Sequence, residues 1–200
     1  MTDLFAEPEG ATPLGPDDVV GLIPTWVATR ADLNEVEERN IGQAQLWASR
    51  KTWTLDVFLQ VAALTDLHRR MLGDVWTWAG ALRRRESNLG VDPSQIRPEL
   101  HDLCDDVTLQ AADASDSAWS TDEIAVRFHH RLVSIHPFTN GNGRHARLAT
   151  DVLLGAVGAA PFTWGSAHLA TSSQPRREYL RALRAADNQD YEPLLRFVRS

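Results

Sequence analysis

Residues 136–147 read His-Pro-Phe-Thr-Asn-Gly-Asn-Gly-Arg-His-Ala-Arg, which places a titratable base, a glycine-rich turn and two arginines within twelve positions. Gly141 and Gly143 lack a Cβ, so the backbone can adopt left-handed angles and direct its N–H groups at one anion. Apolar residues recur at helical spacing after Arg144, which predicts that the turn lies at a helix N-terminus. Unpaired N–H groups and the helix dipole both favour a negative ligand there.

Two arginines extend this predicted anion site. Arg144 and Arg147 lie three positions apart and therefore share one face of the helix, and their planar guanidinium groups match phosphate oxygens. Two cations beside one group of N–H donors indicate a ligand with more than one phosphate. His136, separated from the turn by Pro137, has an ordinary pKa of about 6.5 and is the candidate general base.

These residues resemble a known signature. Segment 136–147 is similar to that of Fic domains, His-x-Phe-x-Asp/Glu-Gly-Asn-Gly-Arg-x-x-Arg, and departs from it only at Asn140, where the family has a carboxylate. Trp76-Thr-Trp-Ala-Gly80 resembles the start of the family's flap, and segments 179–187 and 190–195 resemble its closing helices. The resemblance covers about residues 50–200. Asn140 with Gly-Arg-His-Ala-Arg after it is most similar to the subgroup called mobile mystery protein B.

The resemblance implies a fold and a reaction. The fold would be mainly α, a Fic-like helical bundle with a short β-hairpin flap. The activity would be that of a protein adenylyltransferase (AMPylase), which transfers AMP from ATP, with Mg²⁺ or Mn²⁺, to a Ser, Thr or Tyr hydroxyl of a target protein. The alternative is a nucleotide-binding regulatory protein on the same scaffold, with little transfer activity because Asn140 replaces the metal-binding carboxylate. A toxin-like transferase would also have an antitoxin-like regulator as a partner.

The resemblance also assigns roles to individual residues. His136 would deprotonate the target hydroxyl, and Asn140 is the candidate metal ligand. Backbone N–H groups, the Asn142 side chain and two guanidinium groups would hold the phosphates. The residues that supply these groups are Gly141, Asn142, Gly143, Arg144 and Arg147. The flap would pair its edge with an extended segment of the target through Arg85, Asn88, Leu89 and Gly90.

An inhibitory helix restrains many relatives through a glutamate that pairs with the second arginine of the signature. No segment of this chain matches its pattern, and the nearest is Asn34-Glu-Val-Glu-Glu-Arg39. Glu38 is therefore the candidate partner of Arg147. The alternative is that Glu38 belongs to a solvated acidic helix face.

Composition favours one globular unit. The 200 residues are 43% hydrophobic and 24% charged, which is enough for a single core. Residues 1–17, rich in proline and glycine, are predicted to be a flexible arm, and residues 18–200 a single domain. A net charge of −7 argues against nucleic acid as a partner. The sequence has one cysteine, no apolar run of about 20 residues and no basic segment at its N-terminus. These features predict a cytoplasmic protein without a membrane partner.

Periodicity and turn signals predict the remaining elements. Helices are expected over residues 31–48, from Thr54 through Leu72, over residues 98–114, and from Ser120 or Thr121 to Ile135. Two more should open near residues 175 and 193. Residues 81–96 are predicted to form the hairpin, with its tip at residues 88–90, and residues 83–85 could be a solvated face.

Overall fold

The structure is a computed structural model that describes residues 16–113, 115, 118–165 and 174–200. Almost all of the predicted arm, residues 1–15, lies outside these ranges, so the division into an arm and a domain stays a prediction. Within the described ranges, no helix is both long and apolar enough to cross a membrane.

The described chain is a bundle of helices, which confirms the mainly α prediction. The helices are α1 Pro16–Val19, α2 Arg30–Arg50, α3 Leu55–Phe58, α4 Val61–Leu72, α5 Ile96–Ala112, α6 Thr121–Ile135, α7 Asn142–Ala156, α8 Gln174–Ala186 and α9 Glu192–Val198. Side chains cap two of the long helices that build the site. Thr29 and Asp32 form a reciprocal capping box at the start of α2, and Ser120 Oγ accepts from the Glu123 N–H (3.2 Å) at the start of α6.

The helix predicted from Thr54 to Leu72 is interrupted. Leu59 leaves the helical region at φ −76°, ψ 61°, and Gln60 becomes the N-cap of α4. Phe58, Leu59 and Val61 are all buried. In a continuous helix Phe58 and Val61 would share a face, and Leu59 would point about 100° away from Phe58, because successive residues are about 100° apart. The break lets all three reach the core.

Helix α7, which begins within the signature, lies at the centre of the bundle. It packs against α6, α4, α3 and α2. Ala146 and Ala149 are fully buried on it, and such small side chains let neighbouring helices approach closely. Gly143 and Arg144, at its N-terminus, stay half-buried. The core therefore holds α7 along its length while its N-terminal end remains accessible.

The loop 81–95 differs from the predicted hairpin, since its two arms form no strand ladder with each other. Both arms instead bond to the segment just before α7. Leu82 forms an isolated bridge with Phe138, and the Val91 N–H donates to the Ile135 carbonyl at 3.3 Å. Because the backbone groups are used in this way, the loop is fixed to the signature segment along both arms.

Candidate active site

His136 lies at the end of α6 in a left-handed backbone conformation, with φ 53° and ψ 60°. Few residues other than glycine adopt these angles, so surrounding contacts must hold them. The His136 N–H donates to the Leu132 carbonyl at 3.3 Å, and its own carbonyl accepts from Arg83 Nε at 2.7 Å. The backbone that presents the candidate base is therefore held from both sides.

One hydrogen bond of the His136 ring defines its tautomer. Nδ1 lies 3.3 Å from the Val133 carbonyl, which can only accept, so Nδ1 carries the proton and Nε2 keeps a lone pair. Burial, with a smaller contribution from the Arg83 charge, lowers the pKa of His136 to about 4. The ring is thus neutral near pH 7 and able to accept a proton. A bound polyphosphate would raise this pKa, because nearby negative charge favours the protonated ring.

The Asn142 side chain does not serve the role expected for it. Its Oδ1 accepts from the Phe138 N–H at 2.9 Å, and its Nδ2 donates to the Phe138 carbonyl at 2.7 Å. Both ends of the carboxamide are therefore used to close the loop before α7, and Asn142 is buried. The expectation that this side chain contacts phosphate is corrected, and its backbone N–H stays the candidate donor.

His68 supports the same loop from α4, a role that its place in an apolar stripe concealed. Its Nε2 donates to the Asn140 carbonyl at 3.0 Å, and its Nδ1 accepts from the Gly80 N–H at 2.9 Å. Its ring stacks on Phe138, with centroids 3.7 Å apart. Burial holds the pKa of His68 well below its ordinary value, so the ring stays neutral.

The two glycines of the turn differ in what surrounds them. Gly141, at φ 77°, is the N-cap of α7, and a Cβ there would lie 2.7 Å from Leu72 Cδ1. A Cβ on Gly143 would meet no atom within 4 Å. The fold itself thus requires Gly141, whereas the space beside Gly143 is open. The first N–H groups of α7 have no helical partners and suit an anion at this end.

Arg144 is paired with Glu37, a residue that sequence reasoning missed. Arg144 NH1 donates to Glu37 Oε2 at 2.7 Å, and Trp76 Nε1 donates to Glu37 Oε1 at 2.7 Å. The carboxylate of Glu37 is buried, whereas Glu38 is exposed. The predicted pairing of Glu38 with Arg147 is therefore wrong. Adjacent residues of a helix differ by about 100° in direction, and here the earlier residue faces the bundle.

Arg147 lies among aromatic rings. Its guanidinium is 4.5 Å from the centre of the Tyr179 ring and 6.0 Å from that of Trp164. The Tyr179 hydroxyl is hydrogen-bonded to His129 Nε2 at 2.8 Å. Arg147 Nε is buried and has no hydrogen-bond partner among the described residues, and a buried donor of this kind suits an incoming ligand oxygen.

One of the loop residues that are expected to bind the target, Gly90, lies next to the candidate base. Arg85, Asn88 and Leu89 are exposed. Gly90 has φ 104°, and a Cβ there would lie 2.6 Å from the Cβ of His136. The structure thus brings Gly90 into contact range of His136 and places the other three at the surface.

Comparison with known sequences identifies the family of this segment. Residues 58–154 match the model of the Fic/DOC family. Protein adenylyltransferase fic-1 of Caenorhabditis elegans is 30% identical over 145 residues, covering 70% of this chain and 26% of the relative. Protein adenylyltransferase Fic of Drosophila willistoni is 32% identical over 146 residues, covering 70% and 27%. The chain therefore spans about a quarter of the length of the curated relatives that it matches.

Solved structures show the same fold. A fragment of Fic-1 from C. elegans has a TM-score of 0.63 at 24% identity, covering 89% of this chain and 50% of that one. BepC of Bartonella tribocorum with bound AMPPNP has a TM-score of 0.67 at 17% identity, covering 86% and 87%. A Bartonella quintana Fic domain with bound ADP has a TM-score of 0.66 at 18% identity, covering 88% and 86%. This chain therefore contains a Fic/DOC domain.

Proposed function

We propose that this chain is a protein adenylyltransferase that uses ATP. The observation that carries the proposal is the neutral His136 ring, with its lone pair on Nε2, next to a signature that continues into the N-terminus of α7 and its two arginines. The relatives named protein adenylyltransferase and the neighbours with bound AMPPNP and ADP support the reaction and the donor.

The proposed reaction needs a base and a grip on the phosphates. A hydroxyl oxygen of the target forms a bond to the α-phosphorus of ATP, and the bond from that phosphorus to the oxygen that bridges to the β-phosphorus breaks. Pyrophosphate leaves with the electron pair, and the hydroxyl proton passes to His136 Nε2. The backbone N–H groups of residues 142 and 143, together with Arg144 and Arg147, offset the negative charge, so catalysis rests on positioning and electrostatics.

The residues that the structure describes do not form a Mg²⁺ site by themselves. Hard cations prefer anionic oxygens. Asn140 offers only an amide oxygen, which already accepts from the Gly141 N–H at 2.6 Å. Within the part of the chain that the structure describes, no group of three or more His, Cys, Asp or Glu could hold a metal ion. We expect Mg²⁺ or Mn²⁺ to enter with the triphosphate, with Asn140 as the candidate protein ligand.

A labelling experiment tests the proposed function. The protein is incubated with a cell lysate, Mg²⁺ or Mn²⁺, and ATP labelled at either the α- or the γ-phosphate. We expect proteins to be labelled when the ATP carries its label on the α-phosphate. The assay is repeated with an Arg147→Ala variant, which removes a proposed phosphate contact. Absence of label from α-labelled ATP in both metals, with ATP still bound, would instead support the nucleotide-binding regulatory protein, the second candidate that Asn140 favours.

Asn140→Asp should increase the affinity for Mg²⁺ and the rate of transfer. An aspartate oxygen can keep the hydrogen bond to Gly141, and it adds a full negative charge where the amide has only a dipole. At an effective dielectric constant of about 20, a unit charge about 4 Å from the cation is worth up to roughly 4 kcal/mol. We expect at least a ~10-fold lower Mg²⁺ concentration for half-maximal labelling.

The metal dependence of ATP binding provides the control for this variant. With EDTA, the added charge should repel ATP and weaken binding in Asn140→Asp, whereas with Mg²⁺ it should strengthen binding, both measured by calorimetry. The same change in affinity with and without Mg²⁺ would contradict a role of position 140 at the metal.

Glu37→Gln should strengthen ATP binding. The substitution removes a buried negative charge that is paired with Arg144, and it keeps an oxygen to accept from Trp76. A unit charge about 10 Å from a phosphate is worth roughly 1–2 kcal/mol at an effective dielectric constant near 20, so Kd should fall about 5- to 30-fold. Glu38→Gln, the same change on the exposed neighbour, should leave Kd unchanged. A weaker affinity in Glu37→Gln would mean that Glu37 chiefly holds Arg144 in place.

Several finer assignments belong to the same proposal. The acceptor would be a Ser, Thr or Tyr hydroxyl of a cytoplasmic target, and an antitoxin-like protein would regulate the enzyme. Membership of the mobile mystery protein B subgroup rests on Asn140 and the residues that follow it. Residues 18–200 would act as the single domain, preceded by a flexible arm.

A further inference from the structure

We propose that Arg83 is a positioning residue that fixes the target-binding loop 85–90 to the backbone of the catalytic base His136. The inference rests on the proposed function for its catalytic meaning, and on the contacts of Arg83 for its geometry. The sequence left open that residues 83–85 form a solvated face, and the structure excludes this for Arg83, which is only 7% exposed.

The guanidinium of Arg83 is committed to backbone carbonyls. Nε donates to His136 O at 2.7 Å, NH1 donates to Arg85 O at 3.0 Å, and NH2 donates to Val91 O. Among the described residues, no carboxylate forms a salt bridge with it. An arginine is seldom buried without such a partner, because taking its charge out of water is costly. Burial accordingly lowers the pKa of Arg83.

The three acceptors show what this group holds together. Arg85 and Val91 lie on opposite sides of the exposed tip of the loop, and His136 lies across from both. One planar group of donors thus replaces the missing strand ladder and ties both arms of the loop to the residue that presents the base. Gly90 completes the contact, since a Cβ there would lie 2.6 Å from Arg83 NH2 and 2.6 Å from His136 Cβ.

The shape of the guanidinium positions the loop, and its charge acts on the protonation state of His136. Its planar fork fits three carbonyls in fixed directions, which a lysine ammonium cannot reproduce. Its charge lies near the His136 ring and, together with burial, favours the neutral form that can accept a proton. Arg83→Lys should therefore loosen the loop while keeping this charge effect, whereas Arg83→Gln should lose both.

Hydrogen exchange and NMR test the proposal without any need for transfer activity. In both variants we expect at least ~10-fold faster exchange of the Val91 amide, which donates to Ile135, because the loop opens locally more often. The pKa of His136, followed through its ring proton resonances, should rise in Arg83→Gln and stay near the wild-type value in Arg83→Lys. Arg84→Gln, on the exposed neighbour, should change neither quantity.

Labelling with lysate and ATP then connects this geometry to the reaction. In Arg83→Lys we expect labelling to fall at least ~10-fold while the Kd for ATP stays within about two-fold, because the loop contacts the target and not the phosphates. Wild-type exchange at Val91 in both variants would overturn the proposal, as would a loss of ATP binding and thermal stability in parallel with labelling. If wild type labels nothing while the exchange and NMR results hold, the proposed function fails and the positioning of His136 by Arg83 stands.

Discussion

His136→Ala is expected to reduce transfer of AMP by about 100- to 10,000-fold, the range that a positioned general base contributes. The substitution removes the Nε2 lone pair that would accept the hydroxyl proton. It leaves the N–H groups at the start of α7 and the two signature arginines in place. The Kd for ATP should therefore change by no more than about two-fold, so that the loss lies in the rate of transfer. Initial labelling rates from α-labelled ATP, with calorimetric titration of ATP, measure both quantities.

An exposed histidine on α5 provides the matched control. His101→Ala should label at the wild-type rate, because this side chain lies on the surface, away from the contacts of the signature. A rate for His136→Ala equal to wild type would remove His136 from the mechanism. Loss of ATP binding in proportion to the lost rate would assign it a structural role.

The pH dependence of the same reaction gives a second signature of His136. A base acts in its unprotonated form, so kcat/KM falls as pH drops through its pKa. Burial lowers that pKa to about 4 in the free protein. We therefore expect kcat/KM to stay flat through about pH 6.5, where an ordinary histidine would titrate. An acid limb centred near pH 6.5 would contradict the buried, neutral ring.

Acid is expected to unfold the protein steeply below about pH 6. Among the described residues, four buried histidines have lowered pKa values, mainly because of burial: about 3 for His129, about 4 for His136 and His145, and well below the ordinary value for His68. In the unfolded chain each binds a proton near pH 6.5, and in the folded protein only at much lower pH. The stability is thus fully present above about pH 6.5 and is lost as pH falls toward the folded pKa values.

The expected slope is large because the four groups add. Each contributes about 1.4 kcal/mol per pH unit to the free energy of unfolding, so together they approach roughly 5 kcal/mol per unit between pH 6 and pH 5. Asp151, whose pKa burial raises to about 6, acts in the opposite direction as a single group. Urea titrations at a series of pH values measure the slope. His129→Gln should lower this slope by the contribution of one histidine, about 1.4 kcal/mol per pH unit. A free energy of unfolding that does not change from pH 7 to pH 5 would contradict the prediction.

What the sequence could predict was decided by local chemistry. The helical spacing after Arg144 and the two preceding glycines placed the N-terminus of α7. Ser120 or Thr121 predicted the start of α6, and the structure has Ser120 as the cap, whose hydroxyl needs only the N–H three residues on. The choice between Glu37 and Glu38 could not be made in the same way. Which of the two faces the bundle depends on the rotation of α2 about its axis, and the packing of α2 against α4 and α7 determines that rotation.

The roles of three further residues were hidden for related reasons. Arg83 stands in a run of three arginines that is typical of a solvated surface, and only the return of the chain at residues 135–138 gives it acceptors. His68 lies among apolar residues at helical spacing and is buried in the core, so the sequence does not show that it also supports the loop before α7. Asn142 could equally have bound a phosphate, and its bonds to Phe138 follow from the closed shape of the loop.

The pairing of Arg144 with Glu37 has a consequence for how the domain can be cut. The segment that matches the family model covers residues 58–154, yet Glu37 precedes it and Tyr179, which lies against Arg147, follows it. Both arginines of the signature thus depend on neighbours beyond the recognised boundaries, one on each side. A fragment trimmed to those boundaries would keep every letter of the signature and lose the surroundings of its two cations. The smallest unit worth expressing, crystallising or grafting onto another protein therefore runs at least from α2 to α8, the helices that carry Glu37 and Tyr179.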